Sequence, residues 1–164
     1  TRHVRVHHID NSAGHPHSEL VNTKIGTRDV LVEYCTSTGG SHNTESYPSA
    51  EVRFQSYDAT VRWCDLRNGQ GDGVHIVHHR PWLWDREDPA VTPEQSGTMH
   101  AIYGNVIEGF GGRALRIFTT PDEQRVICGN ETTGPTDGEP GAPCSTDLPD
   151  GDGIGHLGGD SPWA

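Results

Sequence analysis

Short β-prone runs, broken by closely spaced turn signals, set the tightest limit on what this chain can fold into. His3-Val4-Arg5-Val6-His7, Val30-Leu31-Val32-Glu33-Tyr34, Val52-Arg53-Phe54-Gln55, Val61-Arg62-Trp63, Val74-His75-Ile76-Val77, Ala101-Ile102-Tyr103, Leu115-Arg116-Ile117-Phe118 and Arg125-Val126-Ile127 are rich in β-branched and aromatic residues. Thr38-Gly39-Gly40, Asn68-Gly69, Gly71-Asp72-Gly73, Gly111-Gly112 and Pro121-Asp122 punctuate them. Such residues suit a pleated, half-buried surface, and the Gly, Asn, Asp and Pro positions supply the turns. No window carries an apolar stripe of helical period. Thr92-Pro93-Glu94-Gln95 has the character of a helix start, but Gly97 limits it to about one turn. Many short strands between turn signals predict an all-β chain, an antiparallel β-sandwich of Greek-key or jelly-roll type.

The composition changes after Cys128. Residues 129–164 are rich in Gly, Pro and Asp and contain no Lys or Arg. The expected division is therefore a β-sandwich domain over 1–128 and an acidic Gly/Pro-rich extension over 129–164. Formal charge is −11 across 164 residues. That balance argues against binding to a nucleic-acid backbone or an anionic membrane surface, both of which require clustered Lys and Arg. No apolar run is long enough for membrane insertion as a helix. The four cysteines, Cys35, Cys64, Cys128 and Cys144, include no CxxC pair. Two disulfides in an oxidising compartment are expected, with Cys35–Cys64 and Cys128–Cys144 as the more local connectivity. Secretion follows as an expectation, with Thr1 as a processed N-terminus. Asn130-Glu131-Thr132 is a glycosylation sequon.

Eleven histidines accompany a single lysine. His3, His7, His8, His15 and His17 cluster near the start, and His75, His78 and His79 cluster mid-chain. Imidazole titrates near neutrality and is the commonest metal ligand. Full protonation around pH 5 would bring the charge from −11 toward zero. Thr1-Arg2-His3 places an imidazole where amine and deprotonated amides can wrap Cu(II) or Ni(II) in a plane. In a strand, His3, Arg5 and His7 share one face, and Val4, Val6 and His8 the other. Pairing of that strand with Val74–His79 would let both histidine groups converge on copper or zinc, with His15 and His17 closing the site from a loop. Asp147, Asp150, Asp152 and Asp160 on a Gly-rich segment suit calcium, although the EF-hand spacing is absent. Trp82 and Trp84, flanking Leu83, form a candidate ligand platform.

Neither a nucleophile elbow nor a phosphate-binding or dinucleotide fingerprint is present. Gly112-Arg113-Ala114-Leu115-Arg116-Ile117-Phe118, followed by Arg125-Val126-Ile127-Cys128-Gly129, resembles the closing strands of copper/zinc superoxide dismutases. Val6-His7-His8-Ile9-Asp10-Asn11 resembles their copper-binding strand more faintly, because His-x-His is missing. The resemblance implies a copper-dependent redox enzyme on a β-sandwich, with His3, His7, His75 and His78 or His79 as ligands. The expectation that the residues themselves favour is non-enzymatic. It is a secreted, disulfide-stabilised structural or binding protein with histidine- and carboxylate-mediated divalent metal binding. Its partners would be other copies of itself, or an extracellular matrix, mineral or polymer surface. A carbohydrate-binding module built on Trp82 and Trp84 is a further alternative.

Overall fold

A computed structural model describes residues 2–12, 19–24, 27–41, 43–44, 47–77, 98–118 and 125–145. The first coil contains β1 (Arg2–His7), β2 (Asp10–Asn11) and β3 (Val21–Thr23). The second contains β4 (Arg28–Glu33), β5 (Thr36–Thr38) and, after the short antiparallel pair β6 (Asn43–Thr44) and β7 (Tyr47–Pro48), β8 (Ala50–Phe54). The third contains β9 (Tyr57–Arg62), β10 (Asp65–Arg67) and β11 (Asp72–Val77). The fourth contains β12 (Thr98–Tyr103), β13 (Val106–Glu108) and β14 (Leu115–Phe118), and the last β15 (Arg125–Cys128) and β16 (Glu131–Thr132). Corresponding strands stack into three sheets, ordered β1-β4-β9-β12-β15, β2-β5-β10-β13-β16 and β3-β8-β11-β14. Every pairing in these three sheets is parallel.

The chain is therefore a parallel β-helix, and the expected antiparallel Greek-key or jelly-roll sandwich is incorrect. Its all-β character stands, with no helix among the described residues. Strand alternation and turn residues are the same in both architectures. What separates them is whether a turn reverses the chain onto the strand before it or redirects it into the next sheet. Here the turns redirect. At the corner leaving the first sheet, each coil places one residue at left-handed φ: His8 (52°), Tyr34 (52°), Trp63 (52°), Gly104 (66°) and Gly129 (59°). Leaving the second sheet, Gly39 (79°), Asn68 (59°), Gly109 (70°) and Gly134 (93°) repeat the device. A single left-handed residue swings the strand direction without closing a hairpin. The segments likened to superoxide dismutase closing strands are β14 and β15, which lie in different sheets and do not pair.

Stacking sets the core. Val6, Val32, Val61, Ile102 and Ile127 occupy one register row through the first sheet. Val52, Phe54, Val74, Ile76 and Leu115 meet them from the third sheet, and Leu66 and Ile107 from the second. Each fully buried Val, Leu, Ile or Phe contributes about 1.5–3 kcal/mol. The next row, Val4, Val30, Ala59 and His100, carries an imidazole into this interior, where its ring stacks on Phe54 at 5.7 Å.

The corner after the first sheet also carries a polar spine. Asn105 accepts the Cys64 N–H at 3.0 Å and donates to the Val61 and Tyr103 carbonyls, while its backbone N–H donates to the Asn130 carbonyl oxygen of the side chain. Asn130 in turn donates to the Ile102 and Cys128 carbonyls at 2.9 and 3.0 Å. These amides satisfy backbone groups that the corner withdraws from the ladder. The Asn130 side chain is thus consumed in the fold, and the sequon is closed to glycan attachment in the native state.

Residues 133–145 lie back on the last coils. The Ala114 N–H donates to Pro135, that of Asp137 to Leu115, and that of Gly129 to Ala142. Cys128–Cys144 is a disulfide with a sequence separation of 16. A loop of that length contributes roughly 3 kcal/mol in the chain-entropy description. Cys144→Ser is expected to lower urea-unfolding stability by about that amount. A midpoint unchanged from wild type, measured without reductant, would contradict the pinning role.

Candidate functional site

Three polar groupings stand out, and each follows from register. The first lies on the row His7, Glu33, Arg62, Tyr103 and Cys128 across the first sheet. Glu33 is fully buried and Arg62 is 1% exposed. Arg62 donates to Glu33 Oε2 through Nε at 2.9 Å and Nη2 at 2.8 Å, and to the Tyr103 hydroxyl at 2.8 Å. Arg5 donates to the other carboxylate oxygen through Nε at 2.7 Å and also through Nη2. The Arg62 guanidinium also lies 4.1 Å from the Trp63 ring centroid. Both carboxylate oxygens are occupied by charged donors, so Glu33 has no lone pair positioned for proton transfer.

The second grouping is the outer corner. His8, Tyr34 and Trp63, the left-handed residues of successive coils, stack at centroid separations of 5.2 and 4.9 Å. The glycine at the fourth coil is required, because a Cβ on Gly104 would lie 2.8 Å from Trp63 Cδ1. At the first-coil end of this stack His7 and His8 are both exposed, and their Nδ1 atoms are 2.9 Å apart. Sequence alternation places adjacent strand residues on opposite faces. The left-handed φ of His8 overrides that and turns both rings to the same corner.

The third grouping follows the third sheet, where Asn22, Arg53, His75 and Arg116 share a row. Asp72, fully buried, accepts from Arg116 Nε at 2.5 Å and from the Arg113 N–H at 2.8 Å. His75 Nδ1 is 3.7 Å from the same carboxylate. Burial pushes the His75 pKa down to about 4, and Arg53 and Arg116 add to the shift while Asp72 opposes it. The neutral ring is boxed in by paired charges.

Several expected site residues fall in other places. β1 and β11 lie in different sheets and never pair, so His3 and His7 do not converge with His75. Among the described residues, no three His, Cys, Asp or Glu side chains gather to hold a metal ion. Cys35 and Cys64 are buried thiols at equivalent corner positions, not a disulfide. The Cys64 side chain hydrogen-bonds Cys35, which lowers the Cys35 pKa and raises that of Cys64. Thr1, His15, His17, His78, His79, Trp82, Trp84, Asp147, Asp150, Asp152 and Asp160 lie outside the described residues.

Sequence reasoning missed Arg5, Glu33, Arg62, Tyr103, Tyr34, Asn105 and Asn130. The available signal was a repeat. Val30-Leu31-Val32-Glu33-Tyr34-Cys35, Ala59-Thr60-Val61-Arg62-Trp63-Cys64, Ala101-Ile102-Tyr103-Gly104-Asn105 and Val126-Ile127-Cys128-Gly129-Asn130 align on the corner residue. Unequal spacing between copies hides it from a search for a fixed period. No protein-family model, curated protein or solved structure matches this chain.

Proposed function

We propose that this protein is an extracellular structural module that self-associates through its first coil, and not an enzyme. The observation carrying this reading is the contrast between the two ends of the coil stack. At the far end, residues 133–145 lie on the last coils and hydrogen-bond to them. At the near end, β1 pairs with β4 on one side, and no described strand pairs with its other side. The His8 N–H donates to Glu33. By alternation along a parallel ladder, the N–H groups of His3, Arg5 and His7 face away from β4. A six-residue edge strand of this kind is a template for another chain. With this one strand edge unpaired among the described residues, the contact that closes is twofold, β1 running antiparallel to β1 of a second copy. The buried carboxylates Glu33 and Asp72 are engaged by arginines, which supports a scaffold over a catalyst.

Sedimentation equilibrium of the wild type and of His3→Pro tests the proposal. Proline removes one outward N–H while leaving the inner ladder intact. The expected result is a reversible dimer for the wild type and a monomer for the variant. A wild type that stays monomeric over the whole accessible concentration range overturns the reading.

A further inference from the structure

We propose that His7 and His8 form a binding site for a square-planar divalent cation, Cu(II) or Ni(II), held through the two Nδ1 atoms. The proposal is independent of self-association. Three features of the corner carry it. Both imidazoles are exposed, so a hydrated ion can reach them. Their Nδ1 atoms lie 2.9 Å apart, with ring planes at 87°. Two nitrogens at about 2.0 Å from one metal are separated by about 2.8 Å when they occupy neighbouring corners of a square, and by about 3.3 Å in a tetrahedron. The observed separation matches the square.

The pair is also held in place. The left-handed φ of 52° at His8 is uncommon for a residue other than glycine, and it is what brings the rings together. The His8 ring stacks on Tyr34 at 5.2 Å and 24°, and Tyr34 packs on Trp63 at 4.9 Å. Arg5, the nearby cation of the same strand, is committed to Glu33. The 2.9 Å contact is a hydrogen bond when one Nδ1 carries a proton; with both unprotonated the two lone pairs repel, and a metal set to one side of the Nδ1–Nδ1 line would relieve this. The chain's net charge of −11 further favours a cation at this exposed corner. Water fills the remaining positions of the plane, so the site binds without burying the ion.

Titration with Cu(II) alone, in a non-coordinating buffer, tests this on the 164-residue chain carrying an acetylated N-terminus. Acetylation removes the competing Thr1-Arg2-His3 chelate. Wild type, His7→Gln and His8→Asn are compared, asparagine being chosen because it tolerates left-handed φ. Each substitution is expected to abolish one equivalent of copper or weaken it by roughly tenfold or more, and the wild type is expected to prefer Cu(II) to Zn(II). As a second readout, the first equivalent broadens the Tyr34 ring proton resonances in the wild type. His7→Gln leaves the Tyr34 stack in place and carries the test if His8→Asn does not fold. Unchanged copper uptake in His7→Gln overturns the proposal, as do sharp Tyr34 resonances at one equivalent or a preference for zinc.

Discussion

Glu33→Ala is expected to lower the unfolding free energy by about 3–5 kcal/mol, the range for removing one partner of a buried charge group. The cost comes from the charges left behind. Arg62, 1% exposed, would lose both bonds to the carboxylate and keep only the Tyr103 hydroxyl and the Trp63 face. Removing Arg5 is expected to cost much less, because its side chain is 32% exposed and water replaces the carboxylate. Replacing both partners, Glu33→Leu with Arg62→Met, is expected to recover much of the loss. Urea unfolding of the four proteins checks the series. A Glu33→Ala cost below about 1 kcal/mol would mean that water or a rearranged side chain compensates the guanidinium.

Acid is expected to destabilise the fold steeply, beginning near pH 6.5. Burial depresses the pKa of His100 to about 3 and that of His75 to about 4. An unfolded histidine titrates near 6.5, so between the folded and unfolded values the unfolded chain holds the extra proton. The stability these rings contribute is complete above the unfolded pKa and is lost as pH falls below it. Each group has a slope of about 1.4 kcal/mol per pH unit, so the two together amount to roughly 5 kcal/mol by pH 4.5. Arg53 and Arg116 beside His75 act in the same direction, and Asp72 and Asp137 oppose them. Glu51, whose pKa is raised by burial, works the other way, because its protonated form suits the interior. His100→Leu is expected to remove about half of the slope. Denaturant midpoints across the acid range measure this, and a wild-type midpoint flat between neutrality and pH 4.5 would contradict it.

The legibility of the site followed the range of its interactions. Glu33 and Arg62 each read as an ordinary polar residue at the end of a strand. They become a pair only because β4 and β9 run parallel and in register. Asn105 reads as a turn residue, and only the corner stack assigns its amide to Val61, Tyr103 and Cys64. The reverse error occurred with the histidines. His7 and His75 lie on similar-looking strands, yet those strands occupy different sheets. His7 and His8, set apart by strand alternation, are brought together by one backbone angle.

Local chemistry in the chain thus determined its all-β character, the positions of its longer strands and its net negative charge, because β propensity, turn residues and charge balance are properties of the residues themselves. Parallel stacking, the buried Arg5–Glu33–Arg62 cluster, the depressed pKa of His100 and the convergence of His7 with His8 were decided by tertiary structure. Whether a left-handed turn residue folds a strand back or passes it to the next sheet depends on which distant apolar rows it brings into contact. That choice is made by the packing of whole coils and not by the turn itself.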